Sequence, residues 1–222
     1  DVVRLPIFGY GCAGGVLGLG RAAEIAQAVP GRRVLFLVVE LCGLTFRRED
    51  RSRANFIATV LFGEGAAAAL VSCHGGDDRD GVAVTGWGQV TLPNSLDVMG
   101  WTVEDDGFGV LFSQDIPRLL SEELGIAVER YLSCQGLTLA DVDAFVCHGG
   151  GAKVIAATEE ALGLAPGELA DSRAVLRDYG NMSAATVMFV LRRVMSEDMS
   201  GRHLMFAPGP GFTLGFATLE AP

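Results

Sequence analysis

The sequence predicts a layered α/β fold. Three observations carry that expectation: apolar segments of strand character alternate with helical segments through both halves of the chain, 50% of the 222 residues are hydrophobic, and the 30 glycines punctuate the apolar segments without a G-X-Y period. Half-apolar composition at this length is ample for a substantial core. The two α/β runs, residues 1–90 and 91–222, read as related halves of one layered fold.

Taken in order, residues 17–29 (LGLGRAAEIAQAV, preceded by GCAGGV) have apolar side chains at helical spacing and stop before Pro30-Gly31. Residues 33–39 (RVLFLVV) then read as a fully buried strand, 54–61 as a short helix, Gly63-Glu64-Gly65 as a turn and 66–73 as a second buried strand. The polar run 75–81 (GGDDRDG) reads as an exposed loop. Strands are expected at 82–87 and 109–112, flanking an irregular stretch, 92–107, whose Pro, Asn, Asp and Gly content predicts a loop region that shapes a site. An amphipathic helix follows over 115–132, then a strand at 144–147, helices at 152–162, 171–178 and 182–195, and closing strands around 204–207 and 212–219.

Composition excludes several functions. With 27 acidic against 17 basic residues the net charge is −10, and the basic residues are scattered in pairs such as Arg47-Arg48 and Arg192-Arg193, so nucleic acid is not an expected partner. The uncharged runs 5–20 and 204–219 are glycine-rich and fall short of the roughly 20 strongly apolar residues that span a bilayer, which predicts no membrane span. The five cysteines (Cys12, Cys42, Cys73, Cys134 and Cys147) are odd in number and never spaced C-x-x-C, the pattern of reduced thiols in the cytoplasm. The chain begins at Asp1 without a methionine or a secretory leader, and reads as a fragment.

Four segments carry chemistry. Gly9-Tyr10-Gly11-Cys12-Ala13-Gly14 matches G-x-G-x-x-G, opens a helix and is followed by a strand ending in Glu40, so a dinucleotide-dependent oxidoreductase is one reading. Pro6 in the preceding segment and the Cys12 side chain in the pyrophosphate's place count against it. The other reading makes Cys12 a nucleophile at a helix N-terminus, where unpaired N–H groups and the helix dipole lower a thiol's pKa; Cys42, Cys134 and Cys147 then read as buried inert thiols. His148 ends a buried strand and enters Gly149-Gly150-Gly151, a turn expected to leave its imidazole open to a ligand. His74, before Asp77-Asp78-Arg79-Asp80, reads as a surface loop residue, and His203 as structural. The doubled Cys-His pairs do not make a zinc site, because neighbours on a strand point to opposite faces. Asn181 stands in an N-cap-like position before Ser183 and the small residues of a long helix, with an amide able to donate to a developing oxyanion. Residues 207–212 (APGPGF) form a rigid loop that either turns tightly or presents backbone to a ligand.

Together GCAGG with Cys12, CHGGG with His148, YGNMSAAT with Asn181 and the closing PGPGFT resemble, in order and spacing, the chalcone synthase-like type III polyketide synthases; ELCGLTF and LFGEGAAAALV match the same family. The loops depart from it, with His148-Gly149-Gly150 for His-Pro-Gly-Gly and Ala207-Pro208-Gly209-Pro210-Gly211 for Gly-Phe-Gly-Pro-Gly. The resemblance implies a thiolase-like α-β-α-β-α fold, N-terminally incomplete because the family has a long segment before the nucleophile, and that segment is supplied by another chain or lies outside this one. It further implies a homodimeric acyltransferase without a bound cofactor or metal, using acyl-CoA and malonyl-CoA as substrates and Cys12, His148 and Asn181 as catalytic residues. A related ketoacyl synthase III-like condensing enzyme and a catalytically silent subunit stand as alternatives. By the same resemblance Phe62 is a gatekeeper between coenzyme A tunnel and cavity, Cys42, Thr45, Trp101, Val110 and Ser183 line the cavity with Gly209 and Gly211 beside it, and Lys153 contacts coenzyme A. The stretches around 97–101 and 115–117 look most like members that take long-chain acyl starters and form alkylpyrones or alkylresorcinols.

Overall fold

The computed structural model describes residues 2–73, 81–105 and 107–222. A 3-10 turn at Gly11–Ala13 runs into α1 (Gly14–Ala28), followed by β1 (Arg33–Leu41), α2 (Arg53–Leu61) and β2 (Glu64–Ser72). Next come β3 (Ala83–Thr91), β4 (Met99–Glu104), β5 (Gly107–Phe112) and α3 (Ile116–Ser133). The remainder is β6 (Ala144–Cys147), α4 (Ala152–Ala161), α5 (Ala170–Tyr179), α6 (Ala184–Ser196), β7 (Gly201–Gly209) and β8 (Thr213–Ala221). The reading of His74 and most of the 75–81 loop lies outside the described residues.

Side-chain alternation on the strands builds the layers. Along β7 and β8, Leu204, Phe206, Leu214 and Phe216 point to one face of the sheet β3-β8-β7-β6 and pack with Leu120, Leu124 and Ile155 of α3 and α4. Met205, Ala207, Ala217 and Leu219 point to the other, where they meet Val16 and Leu19 of α1 and Val187 and Val190 of α6. On the far side of α1 and α6, Phe36 and Val38 of the antiparallel pair β1-β2 close the same core. The order is therefore helices, sheet, the central pair α1 and α6, and a second sheet. Each fully buried Phe or Leu contributes roughly 1.5–3 kcal/mol of transfer free energy to this arrangement.

Glycine makes the central layer possible. A Cβ on Gly15 would stand 2.3 Å from the Ala184 carbonyl oxygen, one on Gly18 2.4 Å from the Phe36 ring, and one on Gly20 2.8 Å from Trp87 Cβ. Helix α1 is thus crowded by α6, β1 and β3, and its glycines are contact surfaces. This also disposes of the dinucleotide reading, because Gly11 is covered by Pro210, whose Cδ would lie 2.7 Å from an added Cβ, and Gly14 and Gly15 are covered by α6.

Three expectations need correction. The strands expected at 33–39 and 66–73 are buried on one face only: Phe36 and Val38 are covered while Leu35, Leu37 and Val39 are 60%, 60% and 64% exposed. A continuous apolar run reads as buried on both faces, yet only the inner face is covered by the described residues. The irregular stretch 92–107 contains β4, which forms an antiparallel hairpin with β5 in the register Met99↔Phe112, Trp101↔Val110 and Val103↔Phe108. Cys134, expected to be buried, is exposed at the end of α3.

Candidate active site

A cavity of about 120 Å³ opens where α1, β1, the β4-β5 hairpin and the start of α6 converge. Cys12, Cys42, Thr45, Phe62, Trp101, Val110 and Ser183, drawn from well-separated parts of the chain, all line it. A larger groove of about 710 Å³ between β3 and α3 contains none of these residues. Among the described residues no group of three or more His, Cys, Asp or Glu is placed to hold a metal ion.

Cys12 sits in the 3-10 turn that starts α1 and is 6% exposed. Burial pushes its thiol up to about 12; hydrogen bonds from Ser183 and Asn181 pull the other way, while the charge of Glu40 adds to the rise. The expected lowering by the helix N-terminus is therefore not met, because desolvation of a thiolate outweighs the dipole. Cys42 on the facing wall is pushed up to about 11, again by burial first and by Glu40 second.

Asn181 is not the cap of α6. That position belongs to Ser183, held at φ 49°, a left-handed conformation that non-glycine residues adopt at a cost of about 1–3 kcal/mol and that clusters at functional sites. The Asn181 carboxamide oxygen accepts from the Ser183 N–H at 2.9 Å, and its nitrogen donates to the Gly150 carbonyl at 3.2 Å. Its backbone bridges Phe62: the Asn181 N–H donates to the Leu61 carbonyl, and the Gly63 N–H to the Asn181 carbonyl. One residue thereby joins the Phe62 wall, the Cys12 thiol and the His148 loop.

His148 ends β6, its N–H donating to the Phe206 carbonyl at 2.9 Å. The imidazole is not open, as expected from the glycine turn, but 2% exposed, since the Gly149–Gly151 backbone folds over it and a Cβ on Gly150 would stand 3.1 Å from Nε2. Both ring nitrogens are buried with no hydrogen-bond partner, and burial lowers the pKa to about 4, so the ring is neutral. Buried polar groups in folded proteins nearly always have a partner, so two unpaired nitrogens on one buried ring set His148 apart from the rest of the described core.

Neither Asn181 nor His148 is among the residues lining the cavity, and the remaining expected residues fall outside it as well. Gly209 packs against the Tyr10 carbonyl and Ala13, and Gly211, at φ 109°, donates its N–H to the Met99 carbonyl; Pro210 between them reaches the cavity wall. Lys153 is exposed in the first turn of α4. Glu40, read from the sequence only as the acidic residue of a dinucleotide motif, is instead a cavity wall residue at the end of β1 whose pKa is raised by burial despite hydrogen bonds from the Ala184 N–H and Ser183. Sequence reasoning missed Ser95, whose hydroxyl meets the Leu92 and Gly211 carbonyls and the Phe212 N–H, fastening the 209–212 loop to the segment before β4. A lone serine in a loop carries no local signal.

The site's order along the chain is that of a known family. Residues 84–220 match the chalcone and stilbene synthases, C-terminal domain, and residues 1–75 the N-terminal domain of the same enzymes. The chain belongs to the chalcone and stilbene synthases. It is 41% identical over 218 residues to a protein of Bacillus subtilis (strain 168) provisionally named a chalcone synthase, covering 95% of this chain and 60% of the relative. A 1,3,6,8-tetrahydroxynaphthalene synthase of Streptomyces peucetius subsp. caesius is 39% identical, over 99% of this chain and 59% of the relative. The crystal structure of the 1,3,6,8-tetrahydroxynaphthalene synthase from Streptomyces coelicolor A3(2), a bacterial type III polyketide synthase, superposes with a TM-score of 0.90 at 29% identity, over 98% of this chain and 62% of that one. The thiolase-like layered fold expected of a chalcone and stilbene synthase is thus the fold observed. The chain spans about 60% of the length of these relatives.

Proposed function

We propose that the protein acts as a type III polyketide synthase, joining an acyl-CoA starter to malonyl-CoA by decarboxylative Claisen condensation through an acyl-Cys12 thioester. The observation that carries this reading is the meeting of Asn181 and Ser183 at the Cys12 thiol, on the wall of a largely apolar cavity that Cys12 and Ser183 line, with the Asn181 amide hydrogen-bonded into the loop of a histidine whose two ring nitrogens have no protein partner.

In the first step the Cys12 proton passes to His148. Two neutral buried groups become an ion pair of no net charge, and their attraction at low dielectric offsets the desolvation that holds each neutral when alone. The Cys12 sulfur bonds to the starter's carbonyl carbon and the carbon–sulfur bond to coenzyme A breaks; the departing thiolate takes the proton from His148. Malonyl-CoA then loses carbon dioxide, and the electron pair of the broken carbon–carbon bond enters the thioester as an enolate. Its oxygen accepts hydrogen bonds from the Asn181 amide and the His148 ring. The enolate carbon attacks the acyl carbonyl and the Cys12 thiolate leaves. Coenzyme A thioesters are the only small molecules required.

In the same reading Phe62 gates the passage to the coenzyme A side, and exposed Lys153 meets a coenzyme A phosphate as a point charge. The products are pyrones or phenols of the resorcinol type; two relatives named for tetrahydroxynaphthalene support the phenolic outcome. Assembly as a homodimer and a cytoplasmic location belong to this reading as well. No helix among the described residues is long and apolar enough to cross a membrane.

The test is malonyl-CoA decarboxylation and condensation by the full-length protein, followed by mass spectrometry. Cys12→Ala keeps decarboxylation and abolishes condensation, whereas Asn181→Ala loses decarboxylation by about 10²–10³-fold, the usual effect of removing one oxyanion donor. Decarboxylation that survives Asn181→Ala at the parent rate would defeat the assignment.

A further inference from the structure

The His148 ring makes no hydrogen bond of its own within the protein, so nothing polar on the ring decides where it points. The residues after it decide little more. Gly149-Gly150-Gly151 has the widest choice of backbone conformation and no side chain to lodge against a neighbour. The place of the ring therefore comes from whatever holds the backbone at His148.

That backbone is gripped at one peptide unit from both sides. The His148 N–H donates to the Phe206 carbonyl of β7 at 2.9 Å. The peptide is trans, so the Cys147 carbonyl points the opposite way, out from β6, which is the edge strand of its sheet among the described strands. Ser172, buried in the first turn of α5, supplies the partner: its hydroxyl donates to the Cys147 carbonyl at 2.5 Å. The backbone of the same residue reaches the other flank of His148, where a Cβ on Gly149 would stand 2.7 Å from the Ser172 carbonyl oxygen. With both polar atoms held, the plane of the Cys147–His148 peptide is set, and with it the direction of the His148 Cα–Cβ bond. Helix α5 is anchored at this end, because Glu159 of α4 accepts from the Leu169 N–H at 3.1 Å and from the Arg173 guanidinium at 2.6 Å, and these two residues bracket Ser172.

We infer that Ser172 is a positioning residue for His148: its hydroxyl fixes the peptide that carries the ring, so that the ring stands where it exchanges a proton with Cys12 and donates to the enolate. The inference rests on the condensing reading above. Ser172 touches neither substrate nor reacting atoms in this account, and a neutral hydroxyl on a carbonyl brings no charge to the site, so its effect is geometric. Displacement of a catalytic group by about 1 Å is worth up to about a hundredfold in rate.

The experiment uses two side chains of nearly one shape in the full-length protein: Ser172→Thr keeps the hydroxyl and Ser172→Val puts a methyl group in its place. In malonyl-CoA decarboxylation Ser172→Val lowers kcat by about tenfold with KM within about twofold, whereas Ser172→Thr stays within about twofold of the parent in both. Ser172→Ala adds no atoms, so it repeats the loss even where the larger side chains prevent folding; an alanine variant at the parent rate overturns the role. The second measurement is a cycle on Cys12. Ser172→Val slows iodoacetamide labelling of Cys12, and in a His148→Gln background the same substitution changes it by less than about twofold, because a residue that acts only through the ring has nothing left to position. Equal decarboxylation by the valine and threonine variants, or a labelling change that persists without the imidazole, overturns the role of Ser172 and leaves the condensing activity standing. A parent protein that decarboxylates nothing overturns the activity, and the labelling cycle then decides the role of Ser172 by itself.

Discussion

Replacing Gly15 with alanine opposes two effects of known size. Inside a helix alanine is favoured over glycine by at most about 1 kcal/mol, which on propensity alone predicts a stabilised protein. The structure predicts the reverse. The new Cβ would sit 2.3 Å from the Ala184 carbonyl oxygen and 2.7 Å from Val187 Cγ1, where ordinary contact begins at 3.4 Å. The nearer obstacle is backbone in the first turn of α6 and has no rotamer to escape into, so the helices must separate by more than an ångström. Overpacking of this kind costs about 3 kcal/mol at the upper end of its range, leaving a net loss near 2 kcal/mol. For a chain of this size that lowers Tm by about 4–8 °C. Cys12 lies in the turn that leads into α1 and Asn181 precedes α6, so the separation also pulls the nucleophile from its partner, and a misplacement of about 1 Å is worth up to about a hundredfold in rate. Thermal unfolding followed by circular dichroism, paired with the condensation assay, reads both effects. A Tm equal to or above the parent's would refute the close α1–α6 crossing.

Two further perturbations follow from the electrostatics. Glu40 raises the Cys12 thiol, second in that direction to burial, so Glu40→Gln speeds iodoacetamide labelling of Cys12 at fixed pH, by up to about tenfold for each unit the pKa falls; slower labelling, read by mass spectrometry, would reverse the assigned sign. Burial raises Glu159, but the Leu169 and Gly167 N–H groups and the Arg173 guanidinium outweigh it and hold the folded pKa below 4.5. A depressed carboxylate stabilises fully above its unfolded pKa and loses that contribution as pH falls through the folded one. Glu159→Gln therefore costs about 1–3 kcal/mol at neutral pH and flattens the acid limb of stability in urea unfolding; an unchanged slope would remove Glu159 from that role.

Much of the site was legible because its members stand at element junctions that glycines announce. Cys12 before α1, His148 at the end of β6 and Asn181 before α6 each carry a local signal, and family resemblance added the cavity walls. Boundaries blurred where glycine served packing: α1 begins at Gly14, three residues before the expected start, because Gly14 and Gly15 lack the apolar side chains that mark the helical pattern although α6 fills the space beside them. The β4-β5 hairpin was hidden because Asp105 and Gly107 and the acidic residues around them outweighed, in composition, the alternation of Met99, Trp101 and Val103. The ionisation of Cys12 and His148 was out of reach, since a helix start and a glycine turn describe the neighbours in sequence, whereas burial comes from elements far along the chain. The exposed face of β1-β2 was out of reach for the same reason.

That face has a colloidal consequence. Leu35, Leu37, Val39 and Leu70 lie side by side on two strands whose outer edges pair with no other described strand, an arrangement that favours strand-to-strand association between molecules. The net charge of −10 opposes such encounters by mutual repulsion. Repulsion reaches only as far as salt permits, about 10 Å at 0.1 M and about 3 Å at 1 M, whereas apolar contact is not screened. Wherever the β1-β2 face stays open to solvent, rising ionic strength is therefore expected to promote association through it, which light scattering across a salt series checks.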